Sequence, residues 1–372
     1  MLFKLNIELF PLPFPLASSD SFQREYASVH HKFFPFDHVY LDSKAQLALL
    51  ATPAHCAGKT YIVTGANSGL GFHAALHLAK LGAGRLILAV RNLAAGEEAK
   101  ARILSAVPDA KTVIEVWSLD LAKYNTIVQF ANRAERELER IDGLIENAGV
   151  CPGKREIAEG RVSAITVNVV GTLLLLALML PGMGRKAKKY GEVARLVVVS
   201  SSLGFQDWVK GALEGIKGEQ GLLAAVDKGE GEYETMKVYA LSKLLLTFAT
   251  RYIARFLVPD PTKSGVIITT VCPGLCDTGL PRYAPPEVQA PALKLIEQCG
   301  RTAEDGSRTL LHGTVAGIES HGRFLQHCEE GDDIPDWIRD DVGMQRKIWD
   351  DVARDLEDAS PGVIDHLLAA AR

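Results

Sequence analysis

From Lys59 onward, short runs of apolar and often β-branched residues alternate with longer stretches in which apolar residues recur every three or four positions. The short runs predict strands and the longer stretches predict helices. The predicted strands are Tyr61–Thr64, Arg85–Val90, Val113–Val116, Gly143–Ile145, Arg195–Val199 and Val266–Val271. The predicted helices are Leu70–Leu81, Leu93–Ala106, Lys123–Arg140, Arg161–Leu180 and Val238–Leu257. This alternation predicts an α/β fold, a doubly wound parallel sheet covered by helices on both faces.

The core implied by this pattern is shorter than the chain, so the sequence divides into three parts. Residues 1–58 form an N-terminal extension, residues 59–280 form the α/β core with an insertion at 204–233, and residues 281–372 form a C-terminal extension. The stretches Gly204–Tyr233 and Pro281–Cys299 follow strand ends and contain glycine or proline. Because ligands of doubly wound sheets bind beyond the carboxyl ends of the strands, we expect loops of these stretches to form a substrate-binding lid.

The composition is that of a folded enzyme. Lys and Arg number 41 against 45 Asp and Glu, a formal net charge of −4, and 47% of the 372 residues are hydrophobic. This balance gives no electrostatic reason to expect nucleic acid or an anionic membrane as a partner. Six scattered cysteines without a CxxC pair indicate free thiols in a reducing compartment, so we expect a cytoplasmic protein. The apolar stretches Met1–Phe14 and Leu173–Leu180 are too interrupted or too short to predict a membrane span.

A glycine-rich turn follows the first predicted strand and leads into a helix. Gly65 permits a tight turn, Gly69 lets backbone N–H groups approach a pyrophosphate, and Gly71 allows close packing of helix on strand. Such a turn alone also fits an ordinary strand-to-helix connection, but the further strand–helix units favour dinucleotide binding. The predicted cofactor-binding residues of the turn are Gly65, Asn67, Ser68, Gly69, Leu70 and Gly71.

The ends of the second and third predicted strands bear on which nicotinamide cofactor is bound. Arg91 stands where NAD-binding proteins usually carry a carboxylate for the ribose, and an arginine accommodates a 2′-phosphate. NADP(H) is therefore predicted in preference to NAD; a solvated surface arginine is the alternative. Asp120 is predicted to touch the adenine, and it also fits an N-cap of the following helix.

A candidate catalytic pair lies near the start of the last long predicted helix. The i, i+4 spacing puts Tyr239 and Lys243 on one helical face. An ammonium group beside a phenol stabilises the phenolate, so that the tyrosine can act as acid or base nearer to neutral pH. Ser201, after the fifth predicted strand, can hold a carbonyl oxygen. Taken alone, such a Tyr–Lys spacing is usually the coincidence of a partly buried tyrosine and a solvated lysine.

Several motifs follow one another in a characteristic order at compatible strand ends. After the glycine-rich turn come Asn147-Ala148-Gly149, then Ser201, the Tyr-x-x-x-Lys pair, and Pro273-Gly274-Leu275-Cys276-Asp277-Thr278. Over about residues 59–280 this set resembles the short-chain dehydrogenase/reductase family. Its context is most similar to retinol-dehydrogenase-like and fungal secondary-metabolite members, many of which use NADP(H). The resemblance implies a Rossmann fold and an NADP(H)-dependent oxidoreductase acting on a ketone, an aldehyde or a secondary alcohol, in biosynthesis of polyketide-type secondary metabolites.

The resemblance also implies a role for each catalytic residue. Tyr239 would donate or accept the proton, and Lys243 would bind the nicotinamide ribose and lower the tyrosine pKa. Ser201 would orient the carbonyl group. Asn168, within a predicted helix, would hold a water molecule for a proton relay; its alternative reading is a polar residue that kinks the helix.

The remaining cofactor contacts are implied by the same resemblance. Asn147 would lie against the cofactor, and Thr278 would bind the carboxamide end of the nicotinamide. Cys276, in the same motif as Thr278, is counted with the cofactor-binding residues, as are Tyr239 and Lys243. No metal is predicted, because neither His73 with His77 nor the cluster His321, His327 and Cys328 has the spacing or partners of zinc ligands.

Two departures from compact family members point to where substrate recognition lies. The interval from Ser201 to Tyr239 is 38 residues, and the chain continues from Thr278 to Arg372. We expect the small-molecule substrate to be recognised by these two regions. Two other functions stay open: a non-catalytic NADP-binding regulatory or scaffold protein, which a missing tyrosine or lysine would favour, and a membrane-associated retinoid or lipid reductase, which needs an anchor.

Two predicted helices suggest an assembly. In the family, the helices that correspond to Arg161–Leu180 and Val238–Leu257 commonly pair with their copies across a two-fold axis. Leucines in the first, Leu173–Leu176, cover more of it than one buried face requires. We therefore hypothesise an isologous homodimer. The alternative is a monomer in which the N-terminal or C-terminal extension covers the same surface.

Overall fold

A central parallel sheet organises the computed structural model, which describes residues 46–215, 221–228 and 234–372. Most of the N-terminal extension and two pieces of the insertion lie outside the described residues. The sheet contains seven strands in the order β11-β8-β7-β4-β1-β2-β3, and every neighbouring pair in it is parallel. Its strands are β1 Thr60–Thr64, β2 Arg85–Val90, β3 Val113–Ser118, β4 Gly143–Glu146, β7 Ala194–Val199, β8 Val266–Cys272 and β11 Phe324–Gln326. Four short strands form two small pairs: β5 Ile157–Ala158 with β6 Arg161–Val162, and β9 Cys276–Asp277 with β10 Arg301–Thr302.

Helices connect these strands and cover both faces of the sheet. Those up to the fifth long strand are α1 Pro53–Cys56, α2 Gly69–Lys80, α3 Leu93–Ala106, α4 Tyr124–Glu137, α5 Ser163–Ile165 and α6 Thr172–Lys188. The later ones are α7 Asp207–Gly215, α8 Leu222–Lys228, α9 Thr235–Tyr252, α10 Pro261–Ser264, α11 Pro286–Cys299, α12 Ala303–Gly313, α13 Asp336–Arg339, α14 Val342–Ala359 and α15 Val363–Leu368. The doubly wound parallel α/β fold is thereby confirmed.

The long strands form where the sequence is continuously apolar, because both faces of a parallel sheet are buried. All five residues of β1 and all seven of β8 are buried. The chain runs from β1 outward to β2 and β3, then returns to β4 on the other side of β1. The crevice between β1 and β4 is therefore the topological switch point, where doubly wound folds bind their ligands.

The helix that contains the leucine run is longer than the sequence analysis expected. It does not end before Pro181 but continues to Lys188. A π-helical turn at Thr166–Gly171 precedes it, so that Ser163–Lys188 is one continuous helical segment. This segment is long and apolar enough to cross a bilayer, yet 89% of its most apolar window is buried inside the molecule. It is the core helix of the fold.

Two stretches that were expected to be loops contain helices instead. The insertion holds a 3₁₀ turn at Ser202–Phe205 and then α7 and α8, and the stretch after β9 holds α11. Pro286 occupies a first-turn position of α11, where no intrahelical partner is lost, and α11 also contains Pro291 in its interior, where one backbone donor is missing. The regions still follow strand ends, as predicted.

The C-terminal extension covers the two helices that were considered for a dimer. Helix α14 packs along α9, and α15 packs on α6. Leu173–Leu176 of α6 and Leu244 of α9 are fully buried. Parts of these two helices are therefore packed against the C-terminal extension, and the homodimer stays a prediction, with the monomer as its alternative.

Candidate active site

The glycine-rich turn has the geometry that a pyrophosphate requires. Gly65 and Gly69 have φ values of 65° and 55°, in the left-handed region that favours glycine. A Cβ atom on Gly71 would lie 2.5 Å from Nδ2 of Asn147 and 2.6 Å from the Gly65 carbonyl oxygen, so a side chain is excluded there. The Ser68 side chain makes no capping hydrogen bond to α2, so this residue does not occupy the first N–H groups of the helix. These features fit a bound dinucleotide phosphate.

Asn147 joins this turn to the end of β4. Its Nδ2 donates to the Thr64 carbonyl oxygen over 2.9 Å, and the Ala148 N–H donates to Oγ1 of Thr64 over 2.9 Å. Strands β1 and β4 are thus locked together at the switch point. Asn67 and Leu70 are half-buried and Ser68 is exposed along the same edge.

The residues predicted to contact the adenosine end lie at the ends of β2 and β3. Arg91 is exposed and makes no hydrogen bond or ion pair with the described part of the chain, whereas Asn92 accepts the Ala95 N–H and caps α3. Asp120 does not cap a helix: its Oδ1 accepts the Ala122 N–H over 3.1 Å, and α4 starts only at Tyr124. The N-cap reading of Asp120 is therefore wrong, because three residues separate it from the helix, whose N-cap is Lys123.

Tyr239 and Lys243 face the same edge of the sheet from the first turns of α9. The Lys243 ammonium lies 6.0 Å from the centroid of the Tyr239 ring and donates to the Val199 carbonyl oxygen over 2.8 Å. Burial lowers the pKa of Lys243 to about 8, partly offset by the nearby Cys272 thiol. The lysine is not a solvated surface residue, because its side chain is almost entirely buried.

Asn168 lies in the π-helical turn and is completely buried. Its Oδ1 accepts the Val150 N–H over 2.8 Å, and its Nδ2 donates to the Val150 carbonyl oxygen over 2.9 Å and to Oγ of Ser242 over 3.0 Å. A Cβ on Gly149 would lie 3.3 Å from Oδ1 of Asn168 and 3.6 Å from Nζ of Lys243. Asn168 and Lys243 therefore both approach the loop after β4 at Gly149, within contact distance of the same Cβ position.

Ser201 begins the 3₁₀ turn that follows β7. Its Oγ accepts the Leu203 N–H over 3.2 Å and is half-buried. The turn packs directly on α9, since a Cβ on Gly204 would lie 2.9 Å from the Leu244 backbone nitrogen. This contact fixes the serine loop relative to the helix that carries Tyr239.

The motif after β8 contributes Thr278 and Cys276 in different ways. Thr278 is half-buried and faces the glycine-rich turn, since a Cβ on Gly69 would lie 3.6 Å from its Cβ and Cγ2. The Cys276 thiol is instead buried: it donates to the Pro273 carbonyl oxygen over 3.3 Å, and burial raises its pKa to about 12. Only the backbone of Cys276 is thus suited to face a cofactor.

Sequence reasoning missed Glu146, the residue directly before Asn147. It is the last residue of β4 and is only 2% exposed, and neither carboxylate oxygen has a hydrogen-bond partner among the described residues. Burial raises its pKa well above the usual range of a glutamate. The feature of the sequence that could have indicated this site is a charged residue at the end of a fully buried strand.

The histidines considered for a metal site make other contacts. Nε2 of His77 lies 2.8 Å from Oε1 of Glu304 on α12. Within the described residues no group of three or more His, Cys, Asp or Glu side chains is arranged to hold a metal ion.

Fold and site together define a dinucleotide-binding α/β protein with a Tyr–Lys pair at its switch point. A family model described as short chain dehydrogenase matches residues 59–215. A short chain dehydrogenase/reductase of the fungus Cryptosporiopsis sp., dmxR8, is 38% identical over 312 residues, covering 82% of this chain and 93% of the relative. The short-chain dehydrogenase/reductase ffsI of Aspergillus flavipes is 34% identical, covering 82% and 88%. The chain belongs to the short-chain dehydrogenase/reductase family, a family of oxidoreductases.

Solved structures agree with the fold. A short chain dehydrogenase from Salmonella enterica serovar Typhi aligns with a TM-score of 0.53 at 22% identity, covering 74% of this chain and 98% of that one. An Escherichia coli chain solved in complex with NADPH aligns with a TM-score of 0.52 at 22% identity, covering 74% and 99%. At this identity the likeness concerns the architecture alone.

Proposed function

We propose that this protein is an NADP(H)-dependent oxidoreductase that interconverts a ketone or aldehyde with the corresponding alcohol. The observation that carries the proposal is the buried Lys243 next to Tyr239 at the switch point of the sheet. Burying a lysine costs free energy unless its charge is used or its proton is lost, so a buried amine beside a phenol indicates a chemical task. The exposed Arg91 after β2 supports a 2′-phosphate on the cofactor.

Each residue has a task in the reaction toward the alcohol. A nicotinamide cofactor, when bound, would supply a hydride for the carbonyl carbon. Tyr239 donates its phenolic proton to the carbonyl oxygen, and the Lys243 ammonium stabilises the phenolate that remains. Ser201 donates a hydrogen bond to the same oxygen and fixes its direction. Asn168 holds Val150 in place through both backbone groups and orders the path by which Tyr239 regains a proton.

The proposed substrate class rests on the family resemblance. The resemblance to fungal secondary-metabolite members supports a polyketide-type ketone or alcohol as substrate. The insertion and the C-terminal extension supply the substrate side of the cleft in this proposal, because they follow β7 and β8 at the carboxyl edge.

The test is turnover by the purified full-length chain. We expect NADPH oxidation, followed by its absorbance or fluorescence, with at least one member of a panel of aromatic and aliphatic ketones, and loss of that turnover in Tyr239→Phe. Tight NADPH binding without turnover of any carbonyl or alcohol would contradict the proposal and favour a non-catalytic NADP-binding protein.

A further inference from the structure

The insertion between Ser201 and Tyr239 is fastened at helix α8 to a distant part of the chain. Asp227, near the end of α8, accepts the Val162 N–H on Oδ1 over 2.8 Å and a hydrogen bond from Nη1 of Arg161 on Oδ2 over 2.5 Å. Arg161 and Val162 form β6, one strand of the small hairpin after β4. The C-terminal end of α8 is therefore held by an ion pair with Arg161 and by a hydrogen bond from the Val162 backbone.

The same guanidinium group also binds the C-terminal helix. Nε and Nη2 of Arg161 donate to the two carboxylate oxygens of Asp355 in α14, the second over 2.6 Å. This is the bidentate geometry in which arginine recognises a carboxylate with fixed direction. The side chains of Arg161, Asp227 and Asp355 are only 21%, 15% and 12% exposed, so solvent screens these ion pairs weakly.

The start of α8 is bound to the same C-terminal helix. Asp351 of α14 accepts the Leu222 N–H, the first backbone donor of α8. Gly221 just before it has a φ of 87°, and a Cβ there would lie 2.8 Å from both carboxylate oxygens of Asp351. Only glycine allows this approach. The start of α8 is thus tied to α14 directly, and its end is tied to α14 through Arg161.

The segments joined in this way each lead to a residue of the active site. β6 runs through α5 into the π-helical turn that carries Asn168. The insertion that contains α8 begins at Ser201 and ends at the helix of Tyr239, and α14 packs along that helix, with the Trp349 ring stacked on Tyr252 at 6.2 Å. A shift of α14 would therefore be transmitted to the insertion through Asp351 and to β6 through Asp355.

We propose that Arg161 and Asp355 are positioning residues that set the geometry of the substrate-binding insertion, so that the C-terminal helix α14 determines carbonyl binding. A shielded ion pair adds little net stability, since desolvation offsets its Coulomb energy, but it specifies one arrangement of the parts it joins. This inference goes beyond the proposed function, and only its kinetic part rests on that function. Neither residue touches the reacting atoms.

The test compares Asp355→Asn with Asp358→Asn, a matched control on an exposed position of the same helix. Asp355→Asn leaves Arg161 paired with Asp227, so the variant keeps a charged partner for the arginine and is expected to fold, which circular dichroism checks. Hydrogen–deuterium exchange of residues 221–228 is expected to be faster in Asp355→Asn and unchanged in Asp358→Asn. Arg161→Lys keeps the charge but loses the bidentate guanidinium geometry. In this variant the exchange of residues 221–228 is expected to be faster than in wild type and slower than in Asp355→Asn.

The kinetic arm uses a ketone that the wild type reduces. We expect kcat/KM to fall roughly tenfold or more in Asp355→Asn, mainly because KM for the ketone rises. The affinity for NADPH is expected to stay unchanged. Exchange of 221–228 identical in Asp355→Asn and Asp358→Asn, or a fall in kcat at constant KM, would overturn the inference. If the wild type turns over no carbonyl or alcohol, the proposed function fails, and the exchange measurement alone decides whether α14 holds the insertion.

Discussion

Nδ2 of Asn168 donates to Oγ of Ser242 over 3.0 Å, and that hydroxyl in turn donates to the backbone carbonyl oxygen of Tyr239 over 2.6 Å. Two side chains 74 positions apart in the chain thereby link the π-helical turn directly to the first turns of α9. The phenol, the lysine and the loop after β4 share one rigid framework. The arrangement of the proposed active site is set before any substrate arrives, which is what efficient proton transfer requires.

Replacing Tyr239 by Phe removes the proposed proton donor and little else. We expect turnover to fall by about 10²- to 10⁴-fold, the range for loss of a general acid, with NADPH affinity close to that of the wild type. Lys243→Ala is expected to lower both turnover and NADPH affinity, since the Lys243 side chain is proposed to hold the ribose as well. Fluorescence titration with NADPH and steady-state rates measure the two effects separately. A Phe variant that keeps a substantial fraction of kcat would assign the acid elsewhere.

Arg91 is predicted to distinguish NADPH from NADH. Arg91→Ala should lower kcat/KM for NADPH by roughly tenfold, the value of one charge-assisted hydrogen bond, and leave NADH almost unaffected. Initial rates with each cofactor and one ketone give the ratio for wild type and variant. Equal use of both cofactors by the wild type would show that Arg91 does not select the 2′-phosphate.

The pH dependence of the reduction reports on Lys243. Its pKa of about 8 means that the ammonium form dominates below that pH and the neutral amine above it. Because only the ammonium stabilises the phenolate, kcat/KM for carbonyl reduction is expected to fall as the pH rises through about 8. NADPH binding measured over the same pH range separates this effect from loss of cofactor. A rate that stays flat from pH 7 to well above 8 would contradict this role.

Glu146 makes stability depend on pH. Its pKa is raised in the folded protein, so the unfolded chain loses the proton first, and stability falls as the pH rises above about 4.3, the ordinary glutamate value. Glu146→Gln removes the titrating group. We expect its melting temperature to exceed that of the wild type at pH 8, with a gap that shrinks toward pH 5. Thermal scans in a series of buffers measure the gap, and one that is constant with pH would exclude this origin.

The chain is predicted to be monomeric, because α14 and α15 occupy the faces of α9 and α6 that would otherwise be free for a second copy. Multi-angle light scattering at micromolar concentration should return a mass near 40.3 kDa. A particle of twice that mass would mean that the dimer uses these faces despite the C-terminal helices, or uses another surface.

Much of the sheet and the identity of the candidate site residues were accessible from the sequence. Strand β2 and helix α3 have the bounds that periodicity predicts, and most other elements of the core differ by a few residues at their ends; the leucine-rich helix continues eight residues past Leu180. Their signals are local: a buried parallel strand needs a continuous apolar run, and a tight phosphate turn needs glycine at fixed positions. The edge strand Phe324–Gln326 was missed because three residues carry no periodicity.

The tertiary structure alone decided what surrounds those residues. No local pattern indicates that Arg161 meets Asp355, which is 194 positions away, or that the leucines of α6 are covered by the end of the same chain. The same holds for Glu146, whose carboxylate meets no hydrogen-bond partner in the described part of the chain because of the elements packed around it. The sequence by itself determined the order of strands and helices and which residue types stand at their ends, since these follow from nearest neighbours along the chain. Burial, pKa shifts and long-range ion pairs depend on distances between remote segments, and only folding brings those segments together.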